Sequence, residues 1–425
     1  MPLAGMLEKL YARRRFGIRP GVERVRLLLD RLGNPERSFR SIHVVGTNGK
    51  GSTSAFLSSI LSSGGIRTAQ FSSPHLVDFS ERFRVNGGQI ESETLAARLG
   101  RVLSNAPEDA TFFEIVTALA ALSFAEEKVE AAVMEAGMGG RSDATAALPG
   151  IMTLVTPIAL DHCEYLGTTL EQIAFEKSGI IEPESTAVIA CQAPAVRAVF
   201  ECYGRENSVR TLFAGDAFRA EWNREGTLDY QGVQCSLKGL KPGIPGRYQA
   251  DNAALALAAA EALAGLGFPA AERAMQSGLA TAYWPGRMEM VPGRPPLLLD
   301  GAHNPAGAAA LAAALSDYNY RRLLLVIGVM ADKEVGQIIA PLAPLVTTCY
   351  CVTPAVERAL DDLSLSRILG AAGIPTLPCG SVANGITTAQ SEAGPDDLIL
   401  VCGSLFTVGE AKAWLTGRNF KGIRG

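Results

Sequence analysis

Ile42-His43-Val44-Val45-Gly46-Thr47-Asn48-Gly49-Lys50-Gly51-Ser52 joins a short apolar run to a glycine-rich turn, and a Ser- and Ala-rich amphipathic segment follows. That order reads as strand, loop, helix. Such a loop aims backbone N–H groups at a polyphosphate, and the start of the helix adds partial positive charge. Lys50 is placed to neutralise β- and γ-phosphates, and Ser52 to hold a Mg²⁺. The usual phosphate loop reads G-x-x-x-x-G-K-[ST], whereas here Gly51 stands between the lysine and the hydroxyl residue. A ligand-free strand-to-helix turn is the alternative, but it leaves unexplained why lysine and serine both fall where phosphate chemistry needs them. The stretch predicts a site for ATP or a close relative.

Around this loop the chain alternates. Apolar β-type runs at Ile42–Val45, Ala131–Glu135 and Met152–Thr156 are separated by longer helical patterns, among them Thr111–Glu126. Before the loop, Val22, Val25, Leu28, Leu29 and Leu32 fall at helical spacing and stop at Gly33-Asn34-Pro35. Alternation of this kind predicts a mainly parallel sheet covered by helices. Residues 212–240 change character. The short polar and aromatic pieces Phe218–Trp222 and Leu228–Tyr230 suggest a small antiparallel insertion, and an Ala-rich helix follows at Ala253–Leu266.

Pro285 to Pro296 is rich in Pro, Gly and Arg and reads as a linker. Beyond it the alternation restarts with Leu297–Leu299, a helix near Ala306–Leu315, Leu323–Ile327, a helix near 334–343, Thr348–Val352 and Leu398–Val401. The expectation is an α/β chain in two parts. A P-loop-type domain spans 1–284, the linker 285–296, and a smaller Rossmann-like domain 297–425.

Composition sets the outer limits. At 425 residues, 48 % hydrophobic and 19 % charged, the chain reads as globular and multidomain. A net charge of −4 gives no strong pull toward nucleic acid or anionic membrane, and the run Arg13-Arg14-Arg15 reads as a solvated helix face. No apolar h-region opens the sequence and no uncharged run reaches membrane-spanning length. The eight cysteines form no C-x-x-C pair and read as buried free thiols of a reducing cytoplasm, Cys349 and Cys351 sharing one face of a strand.

Only four histidines occur. His43 lies inside the strand before the loop and reads as structural. His75, His162 and His303 sit beside turn-forming or acidic residues at the ends of apolar runs, where open α/β sheets bind ligands. Glu135 ends its own run before Gly137-Met138-Gly139-Gly140-Arg141, a good position for a Mg²⁺ ligand. Lys177, in Glu176-Lys177-Ser178-Gly179, looks like a helix C-terminus, where a cation is favoured anyway. Asp300 opens the Asp-Gly turn of Asp300-Gly301-Ala302-His303-Asn304-Pro305 and suggests a polar site facing the first domain.

Taken together in order, these segments resemble the folylpolyglutamate synthase / dihydrofolate synthase family of the Mur ligase superfamily. The resemblance runs through His43–Ser52, Ser73-Pro74-His75-Leu76, Glu81-Arg82, Thr111-Phe112-Phe113-Glu114 and Glu135–Thr145. It continues through Leu160-Asp161-His162, Glu176-Lys177-Ser178-Gly179, Tyr248–Ala253, Trp284-Pro285-Gly286-Arg287, Asp300–Pro305 and Gly403-Ser404-Leu405. It implies an ATP-dependent ligase that activates a folate or dihydropteroate carboxylate as an acyl phosphate and joins it to L-glutamate. By the same resemblance, Asn48, Gly49, Lys50, Gly51 and Ser52 cradle the triphosphate, while Asn252, Arg287 and Asp300 contact the nucleotide. Ser52, Ser73 and Glu135 serve a first Mg²⁺, and His162 with a carbamylated Lys177 a second. Thr111, Phe112, Phe113, Glu114 and Ser142 line the folate side, and His303 and Ser404 the glutamate side. Lys50, Lys177, His162, Asp300 and His303 form the implied catalytic set.

The sequence departs from the family pattern at Ser142, Ala146, Ala159 and Arg19-Pro20-Gly21, the last bearing on dihydropteroate use. A cell-wall Mur ligase is a rival, but the 45 residues before Gly46 read as too few for its additional substrate domain. A P-loop phosphotransferase would leave Asp300 and His303 without a purpose, and a silent nucleotide-binding scaffold would not need Lys50, Glu135, His162 and Lys177. The expectation is a cytoplasmic monomer using ATP, two Mg²⁺ and a carbamylated lysine.

Overall fold

The computed structural model describes residues 3–13, 21–418 and 420; Arg14, Arg15, Arg19 and Pro20 lie outside them. The apolar run before the glycine-rich loop is strand β1 (Arg40–Val45). It lies inside a sheet completed by β2 (Thr68–Phe71), β3 (Phe83–Val85), β4 (Gly88–Gln89), β5 (Ala131–Glu135), β6 (Gly150–Val155), β7 (Thr186–Ile189) and β8 (Arg210–Phe213). The spatial order is β4-β3-β2-β5-β1-β6-β7-β8. β1 is parallel to both neighbours, β5 and β6, and only the β2–β3 and β3–β4 pairs are antiparallel, so β3 alone runs against the rest.

Strand periodicity divides β1 between two faces. Ile42 and Val44 pack with Phe56, Leu57 and Ile60 of the Lys50–Ser63 helix and with the Ala-rich helix Gln249–Ala264. Val45 packs on the opposite face with Val155, Ile189 and Phe200. His43 is fully buried there, its Nε2 2.9 Å from the Leu148 carbonyl oxygen, and burial lowers its pKa to about 4. That fits the structural reading of this residue. The helix Phe112–Glu126 covers the β2–β5 flank, where Phe71 and Met134 meet Ile115 and Leu119.

The antiparallel insertion is three strands, β9 (Arg219–Trp222), β10 (Leu228–Gln231) and β11 (Ser236–Leu240). A six-stranded sheet follows, built from β12 (Glu289–Val291), β13 (Leu297–Leu299), β14 (Leu323–Ile327), β15 (Val346–Cys351), β16 (Thr376–Pro378) and β17 (Leu398–Cys402). Its order is β12-β13-β17-β14-β15-β16, parallel except for β12 at one edge. This is the α/β architecture read from the alternation. β12 falls inside the Pro- and Gly-rich 285–296 stretch and pairs antiparallel with β13, so this stretch is stitched to the second sheet.

Cys349, Cys351 and Cys402 are buried free thiols, as expected, whereas Cys163, Cys191 and Cys202 are exposed. No helix among the described residues is long and apolar enough to cross a membrane.

Candidate active site between the two sheets

Parallel strands deliver their carboxyl ends to one rim. In the first sheet that rim carries Gly46–Lys50 after β1, Ser72 and Ser73 after β2, Glu135 at the end of β5, and Thr156–His162 after β6. In the second sheet it carries Asp300 after β13, Lys333 beyond β14, and Ser404 after β17. The two rims face each other. Asn48 and Asn304 exchange amide hydrogen bonds across the gap, Nδ2 to Oδ1 at 3.2 and 2.9 Å. Lys333 Nζ donates to Asp161 Oδ1 at 2.8 Å, and His303 Nε2 lies 3.8 Å from Asp161 Oδ2. Burial pushes the Asp161 carboxyl up, but His303, His162 and Lys333 outweigh it and hold the group far below the usual carboxylate range. Asp161 stays ionised and clasps the second body.

The loop itself is built by close approach. Gly49 caps the Lys50–Ser63 helix in the left-handed region (φ 88°), which a side chain would strain. At Gly51 a Cβ would lie 2.5 Å from the Trp284 indole nitrogen, so the residue separating Lys50 from Ser52 is glycine because an indole occupies its side-chain space. Lys50 Nζ donates to the carbonyl oxygens of Gly46 (3.3 Å) and Thr47 (3.1 Å). Lys177, buried on the Leu170–Ser178 helix, donates to the same Gly46 oxygen at 2.9 Å. Burial and the neighbouring Lys50 charge lower the Lys177 amine to about 7. A C-terminal helix position explains none of this.

Glu135 is buried, and burial raises its carboxyl to about 7 against the pull of Lys50, the Ser73 N–H, Arg287 and Arg82. Its Oε2 has no hydrogen-bond partner. An orphaned buried carboxylate oxygen beside a phosphate loop suits a hard cation. Among the described residues no three His, Cys, Asp or Glu side chains gather into a metal cage. A cation here would rely on Glu135, the hydroxyls of Ser52 and Ser73, waters and phosphate oxygens, which is how Mg²⁺ is usually held. Ser52 lies buried with its Oγ 3.3 Å from Gln249 Nε2.

His162 adopts a left-handed conformation (φ 52°) and is half exposed, with Nε2 4.0 Å from Asp161 Oδ2. Partial burial lowers its pKa to about 4 although Asp161 pulls the other way. The neutral imidazole is the metal-binding form. His75, by contrast, is buried and accepts a hydrogen bond from Arg82 Nε at 2.9 Å, which gives it a structural task.

Among the residues expected to contact the nucleotide, Asn252 is held by Gln249 at 2.8 Å and stands against Gly49. Asp300 accepts from the Tyr248 hydroxyl (3.1 Å) and from the N–H groups of Met288 and Ala302 (both 2.9 Å). Arg287 lines the cleft with Glu135 and Ser73. Several sites implied by the resemblance are also structural members. Thr111 and Glu114 form a capping box, Glu114 is further paired with Arg24 at 2.8 Å, and the Ser404 hydroxyl caps the Leu405–Leu415 helix. Phe112 stacks on Tyr11 at 5.9 Å, Phe113 lies 6.0 Å from Phe71, and the Ser142 N–H donates to Glu176.

Asn304, Asp161 and Lys333 were absent from the candidate set. Asn304 carries a visible signal, an Asn-Pro helix start whose side chain caps through Gly307 N at 2.8 Å. Lys333 carries none, since its partner is 172 residues away. Replacing Lys333 with Met should weaken closure by about 1–3 kcal/mol, the cost of leaving one member of a partly buried pair alone. The measurement is small-angle scattering with bound nucleotide. A larger radius of gyration than wild type is expected, and an unchanged one would refute the clasp.

Comparison with known proteins identifies the family. The Mur ligase middle domain family matches residues 44–260, and the Mur ligase glutamate ligase domain family matches 286–405. A Haloferax volcanii protein named probable bifunctional folylpolyglutamate synthase/dihydropteroate synthase is 34 % identical over 96 % of this chain. The chain spans only about half of that relative's length (50 %). The Bacillus subtilis dihydrofolate synthase/folylpolyglutamate synthase is 32 % identical over 95 % of this chain and 96 % of its own. The structure of Escherichia coli FolC in complex with DHPP and ADP superposes with a TM-score of 0.90 at 31 % identity, covering 98 % of both chains. By sequence and by fold, the chain belongs to the folylpolyglutamate synthase/dihydrofolate synthase family of the Mur ligase superfamily.

Proposed function

We propose that this chain is an ATP-dependent ligase that adds L-glutamate to folates, and to dihydropteroate, through an acyl phosphate. The observation that carries the reading is the buried Glu135 oxygen without a partner, set between the Lys50 loop and a second sheet that closes over it. A carboxylate is a poor acyl donor until its oxygen becomes a leaving group, so ATP must supply one. The substrate carboxylate attacks the γ-phosphorus and ADP departs. The glutamate amine then attacks the acyl carbon and phosphate leaves. Positioning and charge neutralisation are the enzyme's share.

Asn48, Gly49, Lys50, Gly51 and Ser52 hold the triphosphate, and Asn252, Arg287 and Asp300 the nucleoside. Ser52, Ser73 and Glu135 hold one Mg²⁺, which supplies charge neutralisation at the phosphates. His162 and a carbamylated Lys177 serve a second. A neutral lysine adds its lone pair to CO₂ and releases one proton, and an amine lowered to about 7 is available for that at physiological pH. Thr111–Glu114 and Ser142 border the pterin, and His303 and Ser404 the incoming glutamate. His303 Nδ1 lies 2.8 Å from the Gly301 carbonyl oxygen, which can only accept. Nδ1 therefore carries a hydrogen, and Nε2 faces Asp161. The working unit is a cytoplasmic monomer divided at 1–284, 285–296 and 297–425, its two bodies supplying the whole cleft.

The test is product mass after incubation with Mg-ATP and L-glutamate, separately with dihydropteroate and a reduced folate monoglutamate. Adducts from both acceptors are expected. An adduct from one alone would make the enzyme monofunctional, and none from either would overturn the substrate assignment.

A further inference from the structure

Gln70 on β2 and Arg84 on β3 are register partners in the antiparallel pair. Gln70 is also in register with Val133, whose side chain faces the Lys50–Ser63 helix, so both polar residues point to the phosphate-loop side of the sheet. Each carries a buried donor without an acceptor, Nε2 of Gln70 and Nε of Arg84. The Arg84 guanidinium lies 5.8 Å from the centre of the Trp284 ring, and its Nη1 makes only a long contact to the Gly87 carbonyl oxygen at 3.4 Å. Arg84 lines the same cleft as Ser73, Glu135 and Arg287. The nearby Glu81 does not satisfy it, because the Glu81 oxygens accept from the backbone N–H groups of Leu76, Val77 and Asp78.

Two orphaned donors on one face, one of them cationic and backed by an indole, suit an anionic acceptor. We infer that Gln70 and Arg84 form a subsite for a second carboxylate of the acceptor substrate, the α-carboxylate beside the γ-carboxylate that is being activated. This rests on the ligase reading above and extends it. A folate ends in glutamate and presents both carboxylates, whereas dihydropteroate ends in a benzoate and presents one. Every γ-linked extension regenerates the same pair, so one subsite serves each round of chain growth. The contact favours folate and its polyglutamates over dihydropteroate, and so sets acceptor preference within a shared activation site.

The decisive comparison uses tetrahydrofolate monoglutamate and its α-carboxamide, which keeps the γ-carboxylate and loses the negative charge. In the wild type the amide should bind at least tenfold more weakly by calorimetry with Mg-ADP present, and show a KM raised to match. In Arg84→Met that difference should shrink below threefold, and Arg84→Lys should restore part of it. Equal affinity for acid and amide in the wild type would overturn the subsite without any reliance on a variant's folding. A loss in Arg84→Met shared by acid, amide and dihydropteroate, with a raised KM for ATP, would also overturn it and assign Arg84 to the phosphates. Carboxylate-dependent folate binding without glutamate addition would leave the subsite standing while the ligase reading fell.

Discussion

Lys50→Ala should lose at least a thousandfold in kcat, about 4 kcal/mol of transition-state stabilisation, while keeping its melting temperature within about 2 °C. The two expectations come from the same geometry. In the described structure Lys50 makes only two contacts to backbone oxygens of its own loop, so the fold hardly depends on it. Its charge, however, is the one that the proposed phosphoryl transfer needs, and it also acts on its neighbours. Lys50 lowers Glu135, keeping it available as a carboxylate, and lowers Lys177, keeping it available as a free amine. Without Lys50 both groups bind protons more readily, so the variant should also need more Mg²⁺ at pH 7 than the wild type. Steady-state kinetics with magnesium titration provide the check. A variant with normal kcat would remove the phosphate site from this loop.

Lys177→Ala should fall at least a hundredfold in kcat, with partial recovery in a short-chain carboxylate such as acetate or propionate. Burial and Lys50 bring the amine from 10.5 to about 7. At neutral pH about half of it is then unprotonated, against roughly one part in three thousand for an ordinary lysine. The sign follows directly. Below about pH 7 the amine gains its proton and cannot add CO₂, so reactivation of CO₂-depleted enzyme should slow as pH falls and level off above pH 8. Wild-type activity in Lys177→Ala, or reactivation independent of CO₂, would dispose of the carbamate. An unrescued loss in a folded variant would leave Lys177 as a simple prop for the Gly46 carbonyl.

What could be read in the sequence was what is local. β1, its glycine turn and the helix after it announce themselves within two dozen residues, and Ala131–Glu135 and Leu297–Leu299 are legible as buried apolar runs. Glu135 and Asp300 were found because strand ends are where α/β sheets bind ligands. The clasp was not legible, since Asn48 meets Asn304 across 256 residues and each looks alone like a turn residue. Gly51 is understood only once Trp284 is seen filling its side-chain space. Likewise β12 hides in a stretch whose proline and glycine read as linker, because an edge strand needs partners on one side only.

That edge strand has a consequence for turnover. Glu289–Val291 is tied into the second sheet, and the Met288 N–H donates to Asp300, so Arg287 is flanked by chain anchored to the same body as Asp300 and His303. Trp284, just upstream, is seated on the phosphate loop. Gly286 already belongs to the second body, its N–H donating to Glu289 and its carbonyl oxygen accepting from the Gly301 N–H, so any swing must be absorbed around Pro285, where the chain crosses from one body to the other. One opening movement would then withdraw the second wall of the proposed nucleotide site and the proposed glutamate site together. ADP, phosphate and the lengthened product would share a single exit, and the enzyme would have to unclasp once for every glutamate added.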